Sequence, residues 1–328
     1  MHLKRMVRVI IFVVTVLILN GCTSSNDKLS FKIEESTIDI PLNTVLTYSY
    51  SDKENAIVFN DDNKTYEMVF KTDGEVSYRF QHNEKLLFSG NGGLFVFDAF
   101  NHSLEKISDE TVVEAGYLND RLYYIENTGY NSEKGEYQSR LVYDNRSYIY
   151  PYYINQVAIL DNKLYMTCYL DILNSEETAL IQTNLDNFDN GEFSVTAMEE
   201  EGVVYNFDGQ IYLVSNQSAV NISTNNIISF AEDTHELNHF YDAYFDDTIK
   251  FATTTYGNNV ESCIIIDPVN NTLESIDKCK SINHTNDHFY IVNMDLEIFE
   301  YNDNALTDLN VSCPKNTFYC NLYSVNPN

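Results

Sequence analysis

The sequence lacks several features on which common functions depend. Its 328 residues include no tryptophan and only 12 glycines, and 20 lysines and arginines stand against 49 aspartates and glutamates. No glycine-rich phosphate loop, G-x-S-x-G nucleophile motif or Asp-x-Asp-x-Asp-Gly calcium loop is present. Because nucleic-acid binding depends on lysine and arginine contacts to phosphates, the net charge of −29 argues against a nucleic-acid partner.

Long apolar runs are also scarce, and the clearest one lies near the N-terminus. Residues 9–19 are apolar except for Thr15, and they follow the cations Lys4, Arg5 and Arg8. A membrane-spanning helix needs about 20 apolar residues, so this run is too short for a comfortable permanent anchor. A positive segment followed by a short apolar run is typical of a secretion signal peptide.

The apolar run ends in Leu19-Asn20-Gly21-Cys22, which resembles the lipobox of bacterial surface lipoproteins. The resemblance implies that residues 1–21 are a cleaved signal peptide and that Cys22 carries the lipid, palmitate included, as first residue of the mature protein. Acyl chains contribute about 0.8 kcal/mol per buried methylene, so a diacylated Cys22 would hold the protein to the membrane. We therefore expect lipid anchoring on the extracytoplasmic side of the cell membrane, with residues 22–35 as lipidated cysteine and polar tether.

The remainder is rich in residues that build β-sheets and shows an internal repeat. It is 44% hydrophobic, with 25 tyrosines and 19 phenylalanines. A polar turn followed by an aliphatic or aromatic strand start recurs with spacings of 42, 47, 38 and 40 residues. The copies are residues 119–123, 161–165, 208–212, 246–250 and 286–290, with an earlier one at 83–88 and a degenerate one at 52–59.

Each period contains four strand-like runs separated by turns rich in Asp, Asn and Gly. Four short strands per roughly 40 residues is typical of a propeller blade, and the pattern resembles β-propeller repeat proteins. We predict one all-β propeller domain over residues 36–328, with about seven four-stranded blades; six or eight are also compatible. Residues 29–40 are expected to pair with the last blade and close the ring. Tandem β-sandwiches are the alternative architecture, and the missing tryptophan excludes WD40-type blades.

Five cysteines remain after Cys22. Cys263 and Cys279 are expected on neighbouring strands of one blade, and Cys313 and Cys320 bracket a short loop. Outside the cytoplasm both pairs could form disulfides, which would leave Cys168 as a buried thiol.

One motif suggests an enzyme. His235-Glu236-Leu237-Asn238-His239 matches H-E-x-x-H, which on a helix would give two zinc ligands, His235 and His239, and a general base, Glu236. Glu261 is the candidate third ligand. The flanking runs have strand character, however, so the five residues are predicted to form a solvated loop between two blades.

The sequence therefore favours a lipid-anchored binding or scaffolding propeller without a cofactor, whose partner is a protein, peptide or glycan. The tyrosines are candidates for stacking on sugars or peptides at the propeller mouth. The alternative is an extracytoplasmic hydrolase, either the zinc peptidase above or a glycan-active enzyme with unassigned carboxylates.

Overall fold

The computed structural model describes residues 31–325 apart from 62–63, 119, 133–135, 172–173, 199–201, 208, 216–217, 230–241, 246–248, 258–259, 268–271, 286–287, 303–304 and 318. Phe31–Asn328 forms one compact unit. Within the described residues, the only helix is a 3-10 turn at Phe188–Asn190, and none is long and apolar enough to span a membrane.

Antiparallel strands form six four-stranded sheets and one five-stranded sheet. Each four-stranded sheet, or blade, uses four consecutive strands in chain order. Blades 1 and 2 contain β5 (Val76–His82), β6 (Lys85–Gly90), β7 (Gly93–Asp98), β8 (Ser103–Ser108), β9 (Val112–Leu118), β10 (Arg121–Asn131), β11 (Glu136–Tyr143) and β12 (Arg146–Tyr150). Blades 3 and 4 contain β13 (Tyr153–Leu160), β14 (Lys163–Asp171), β15 (Asn174–Asn184), β16 (Phe193–Ala197), β17 (Val203–Phe207), β18 (Gln210–Val214), β19 (Ser218–Asn221) and β20 (Ile227–Ser229). Blades 5 and 6 contain β21 (Asp242–Phe245), β22 (Ile249–Gly257), β23 (Val260–Asp267), β24 (Thr272–Asp277), β25 (Cys279–Thr285), β26 (His288–Asn293), β27 (Glu297–Asn302) and β28 (Ala305–Ser312).

The seventh sheet, here called the closing sheet, joins the two ends of the domain. Its strands are β1 (Phe31–Glu35), β2 (Thr44–Ser51), β3 (Glu54–Asp61), β4 (Lys64–Lys71) and β29 (Cys320–Ser324), in the spatial order β1-β4-β3-β2-β29. The prediction of an all-β propeller is therefore confirmed, within the range of blade numbers that the repeat allowed.

The predicted closure by residues 29–40 is wrong. Phe31–Glu35 pairs with β4 at the outer edge of the closing sheet, and β29 from the C-terminus pairs with β2 and packs against β25 of blade 6. Burial explains why β29, and not β1, is the strand next to blade 6. All five residues of β1 are exposed, whereas Leu322 and Tyr323 in β29 are fully buried and suit an inner strand. The compact unit also begins at Phe31, inside the segment expected to be a tether.

The repeated turn joins the first and second strands of each blade. In blade 3, Asp161 and Asn162 have φ values of 48° and 64°, as a tight hairpin between right-twisted strands requires. The degenerate copy at 52–59 is the exception. It joins β2 to β3, which are the second and third strands of the closing sheet when counted outward from β29. The first strand of that sheet, β29, comes from the C-terminus.

The core lies between neighbouring sheets. Blades 2 and 3 share a buried cluster that includes Leu141, Tyr150 and Ile154, and the closing sheet shares another with blade 6. Among the described residues, further clusters join blades 1 and 2, blades 3 and 4, and blades 5 and 6. Packing of this kind fixes the position of the inner strands, whose first residues surround the candidate site.

Candidate ligand site at the propeller mouth

A cavity of about 390 Å³ opens where the first strands of blades 1, 2 and 3 begin. We call it the mouth cavity. Its lining residues are Glu75, Ser89, Gly90, Asn91, Thr111, Val112, Val113, Asn127, Tyr153 and Asn155. The lining brings together residues about 80 positions apart in the chain, because each blade returns its next first strand to the same end.

Three lining residues lie in or next to β-bulges. Val113 is the extra residue where β9 pairs with β10, and Asn155 is the extra residue where β13 pairs with β14. Asn127 lies beside a third bulge, where β10 pairs with β11 and Thr128 is the extra residue. A bulge redirects a side chain out of the regular pleat, so the side chains at these positions are free to line a cavity rather than pack between blades.

The two bulge asparagines have fixed amide orientations. The Oδ1 atom of Asn127 accepts a hydrogen bond from the Gly129 backbone N–H at 2.9 Å, and Oδ1 of Asn155 accepts one from the Thr167 hydroxyl at 2.5 Å. Neither Nδ2 atom donates to a residue that the structure describes. Each asparagine therefore has its NH₂ group available as a hydrogen-bond donor.

Among the lining residues that the structure describes, Glu75 is the only charged one. Its carbonyl accepts from the Gly92 N–H at 3.1 Å, and a Cβ atom on Gly90 would lie 2.3 Å from that same oxygen. Only glycine at position 90 permits so close a backbone approach. The carboxylate side chain of Glu75 remains exposed.

A hydrogen-bond relay ties this segment to the closing sheet. The Tyr319 hydroxyl donates to Oδ1 of Asn55 at 3.1 Å, Nδ2 of Asn55 donates to the Thr72 hydroxyl at 3.2 Å, and that hydroxyl donates to the Gly74 carbonyl at 2.7 Å. Burial, and next the negative charge of Glu75, raise the pKa of Tyr319 well above the ordinary value. The hydroxyl consequently stays protonated and continues to donate.

A buried ion pair lies beside the cavity. Glu126, which is 2% exposed, accepts hydrogen bonds from the Ser108 hydroxyl at 2.7 Å and from Arg140 Nε at 2.5 Å. Because the Arg140 guanidinium balances the charge of this carboxylate, Glu126 adds no unpaired charge next to Asn127.

Tyrosine rings surround the same end of blades 2 and 3. The ring of Tyr153, in the cavity lining, lies 6.1 Å from that of Tyr169, and the rings of Tyr130 and Tyr137 lie 5.1 Å apart. Tyr130 is 56% exposed. It follows Asn127 by three residues along β10, which places it roughly 10 Å further out.

None of the side chains predicted for zinc chemistry is among those that the structure describes. His235, Glu236 and His239 fall outside the described residues, as does Cys22. The backbone of Glu261 belongs to β23, but its side chain is outside the description. Among the described residues, no group of three or more His, Cys, Asp or Glu side chains is placed to hold a metal ion.

The cysteines form the two pairs offered by the sequence, with one difference in placement. Cys313 is joined to Cys320, with 6.3 Å between their Cα atoms, and Cys263 to Cys279, with 5.3 Å. The expectation that Cys263 and Cys279 share a blade is wrong, because β23 belongs to blade 5 and β25 to blade 6. The buried face of β23 packs against the next blade, so the bond links two sheets. Cys168 is free and buried.

Comparison with known proteins identifies the fold. The β-propeller domain of the Trilobed protease from Pyrococcus furiosus, which has an open velcro topology, matches with a TM-score of 0.53 and 12% identity over 85% of this chain and 99% of that domain. The chain is a β-propeller. In this chain β2 and β29 pair, so an N-terminal and a C-terminal strand build one sheet.

Two enzymes are among the other similar structures. An acylaminoacyl peptidase from Pyrococcus horikoshii matches with a TM-score of 0.53 and 12% identity over 85% of this chain; this chain spans 52% of the peptidase. An oligogalacturonate lyase from Vibrio parahaemolyticus matches with a TM-score of 0.47 and 11% identity over 86% of this chain and 85% of the lyase. No protein-family model and no curated protein matches the sequence. At such low identity the likeness shows the fold alone.

Proposed function

We propose that this chain is a lipid-anchored, extracytoplasmic propeller that acts as a binding or scaffolding module. It binds its ligand in the mouth cavity. The observation that carries this proposal is the lining itself. It presents two oriented amide donors, one exposed carboxylate and a tyrosine ring in a concave site supported by three blades. Small-molecule sites combine these features: a preformed concavity and a few convergent polar groups.

The lining favours binding over hydrolysis. Glycoside hydrolysis ordinarily requires two carboxyl groups facing the same bond, and within the described part of the chain Glu75 is the only acid in the lining. Glu126 is already paired with Arg140 and Ser108. The fold shared with a peptidase does not transfer its activity, because function belongs to sites rather than to folds.

The location rests on the N-terminal sequence. Lys4, Arg5 and Arg8, the apolar residues 9–19 and the lipobox ending in Cys22 support export and lipid attachment. The membrane is then a partner through the lipid alone. With a net charge of −29, the protein is not expected to approach nucleic acid or an anionic lipid surface through its folded part.

Metabolic labelling tests the anchor. Cells fed an alkyne analogue of palmitate should label the wild-type chain and retain it in the membrane fraction. A Cys22→Ser variant should be unlabelled. Its matched control is Cys168→Ser, because Cys168 is a free cysteine in the folded domain and should not affect labelling. A wild-type chain that takes up no label would refute the anchor.

Site-specific photo-crosslinking in living cells tests binding. A benzophenone amino acid at position 153 lies in the mouth cavity, whereas one at position 100 replaces an exposed phenylalanine, 76% accessible, at the opposite end. The proposal predicts adducts, seen as added mass on the chain, at position 153 and not at 100. Equal adducts at both positions, or none at 153, would contradict it.

A further inference from the structure

We infer that the mouth cavity is a subsite for a neutral saccharide. This rests on the proposed binding function and adds to it the chemical class of the ligand. The cavity, at about 390 Å³, lies near the lower end of the range of about 300–1,000 Å³ in which ligand sites fall. That size suits one or two sugar rings better than a folded segment of a protein.

Charge excludes most alternatives. The described lining residues include no lysine, arginine or histidine, and the guanidinium of the nearby Arg140 is paired with Glu126. An anionic ligand such as a phosphate ester or a uronic acid would find no cationic side chain among the described lining residues, and it would face the carboxylate of Glu75 and the field of a strongly negative protein. Like charge disfavours such ligands.

The hydrogen-bonding groups of the lining favour a saccharide over a cationic ligand. The NH₂ groups of Asn127 and Asn155 can only donate, the oxygen of each amide already accepts one hydrogen bond, and the carboxylate of Glu75 can only accept. An ammonium group would satisfy Glu75 and leave both amide donors facing another donor. A sugar hydroxyl both donates and accepts, so adjacent hydroxyls of one ring satisfy donors and acceptor together.

The aromatic wall fits the same class. Tyr153 lines the cavity and its ring is supported by Tyr169 at 6.1 Å. A tyrosine offers a flat apolar face with a polar edge, which matches the C–H face and the hydroxyl rim of a pyranose.

Isosteric substitutions test the inference without removing the structural bonds. Asn127→Asp and Asn155→Asp keep the oxygen that accepts from Gly129 or Thr167 and replace only the NH₂ donor. The matched control is Asn226→Asp, which adds the same charge at an exposed turn at the opposite end of blade 4. The probes are cellobiose, maltose, lactose and chitobiose as neutral disaccharides, digalacturonate as an anion and glucosamine dimer as a cation. Calorimetry uses the full chain in a detergent without a sugar headgroup.

We expect at least one neutral disaccharide to bind, each Asn→Asp variant to weaken that binding about tenfold or more, and Asn226→Asp to leave it unchanged. Tyr153→Ala should weaken it by a similar factor, and Tyr153→Phe should retain most of it. Equal melting temperatures of the variants would confirm that folding is intact. If crosslinking at position 153 succeeds but no neutral disaccharide binds, or binding ignores the cavity variants, the saccharide inference is overturned while the proposed function stands. If position 153 gives no adduct either, both fail.

Discussion

Arg146 of blade 2 lies over the ring of Phe188 of blade 3, with 5.0 Å between the guanidinium carbon and the ring centroid. Its Nη1 and Nη2 atoms also donate to the carbonyls of Asp186 and Leu185, each at 3.0 Å. This contact joins two blades through one side chain and satisfies carbonyls at the end of β15 that have no sheet partner there.

Replacement of Arg146 should therefore destabilise the propeller. We expect Arg146→Met to lower the free energy of unfolding by about 1–3 kcal/mol, because the charge-assisted bonds and the cation–π contact are both lost. Urea unfolding followed by tyrosine fluorescence measures the change. Arg121→Met is the control, since Arg121 is 57% exposed and pairs with Asp144 within its own blade. A surface pair contributes about 1 kcal/mol or less, so equal losses in the two variants would contradict the inter-blade role.

Gly191 is required for a second contact between the same blades. Its φ is 75°, and a Cβ atom there would lie 2.6 Å from the Tyr148 hydroxyl. Gly191→Ala should combine left-handed backbone strain with a steric clash. The control is Gly209→Ala. Gly209 has a φ of 67° and no atom within 4 Å of its Cβ position, so this variant should show only the backbone strain, which costs about 1–2 kcal/mol. Thermal unfolding should show Gly191→Ala as the less stable variant, and a similar loss for both would show that Tyr148 moves away freely.

The Cys263–Cys279 bond should stabilise the junction of blades 5 and 6. The two cysteines are 16 residues apart in sequence, and closing a loop of that length in the unfolded chain contributes about 3 kcal/mol. A Cys263→Ala/Cys279→Ala double variant should unfold at a lower temperature than wild type. Intact mass after alkylation without reductant checks the pairing itself. Alkylation of these cysteines in the untreated wild-type chain would contradict it.

The thiol of Cys168 should resist modification in the folded protein. Burial raises its pKa from 9.0 to about 12, so the reactive thiolate is scarce at pH 8. Ellman's reagent should react with Cys168 only after unfolding. Because the pKa is higher in the folded state, the stabilisation from the neutral thiol is complete below pH about 9 and is lost as the pH rises toward 12. Cys168→Ala should reduce the alkaline loss of stability; fast reaction of the native thiol at pH 8 would contradict its burial.

Local signals in the sequence predicted the blades correctly. Asp161 and Asn162 adopt the left-handed conformations that their turn requires, and each four-stranded blade has its repeat copy between its first and second strands. These features depend on neighbouring residues only. They therefore repeat in the sequence wherever they repeat in the structure.

Closure and the mouth cavity were not predictable in this way. Pairing of Thr44 with Ser324 joins residues from opposite ends of the chain, and no local pattern marks it. The cavity is built by Asn127 and Asn155, whose positions depend on bulges in two separate blades. In the sequence they are two asparagines among many, and only the register of the strands distinguishes them.

The central claim is that this propeller binds its ligand without transforming it. The specific alternative is a zinc peptidase that uses the H-E-x-x-H motif at residues 235–239. Zinc content, measured by elemental analysis of the purified full chain and of a His239→Ala variant, tests the claim directly. The account predicts only trace zinc, equal in both proteins. Zinc equimolar with the wild-type chain and lost in His239→Ala would contradict it and identify a zinc site of the peptidase type.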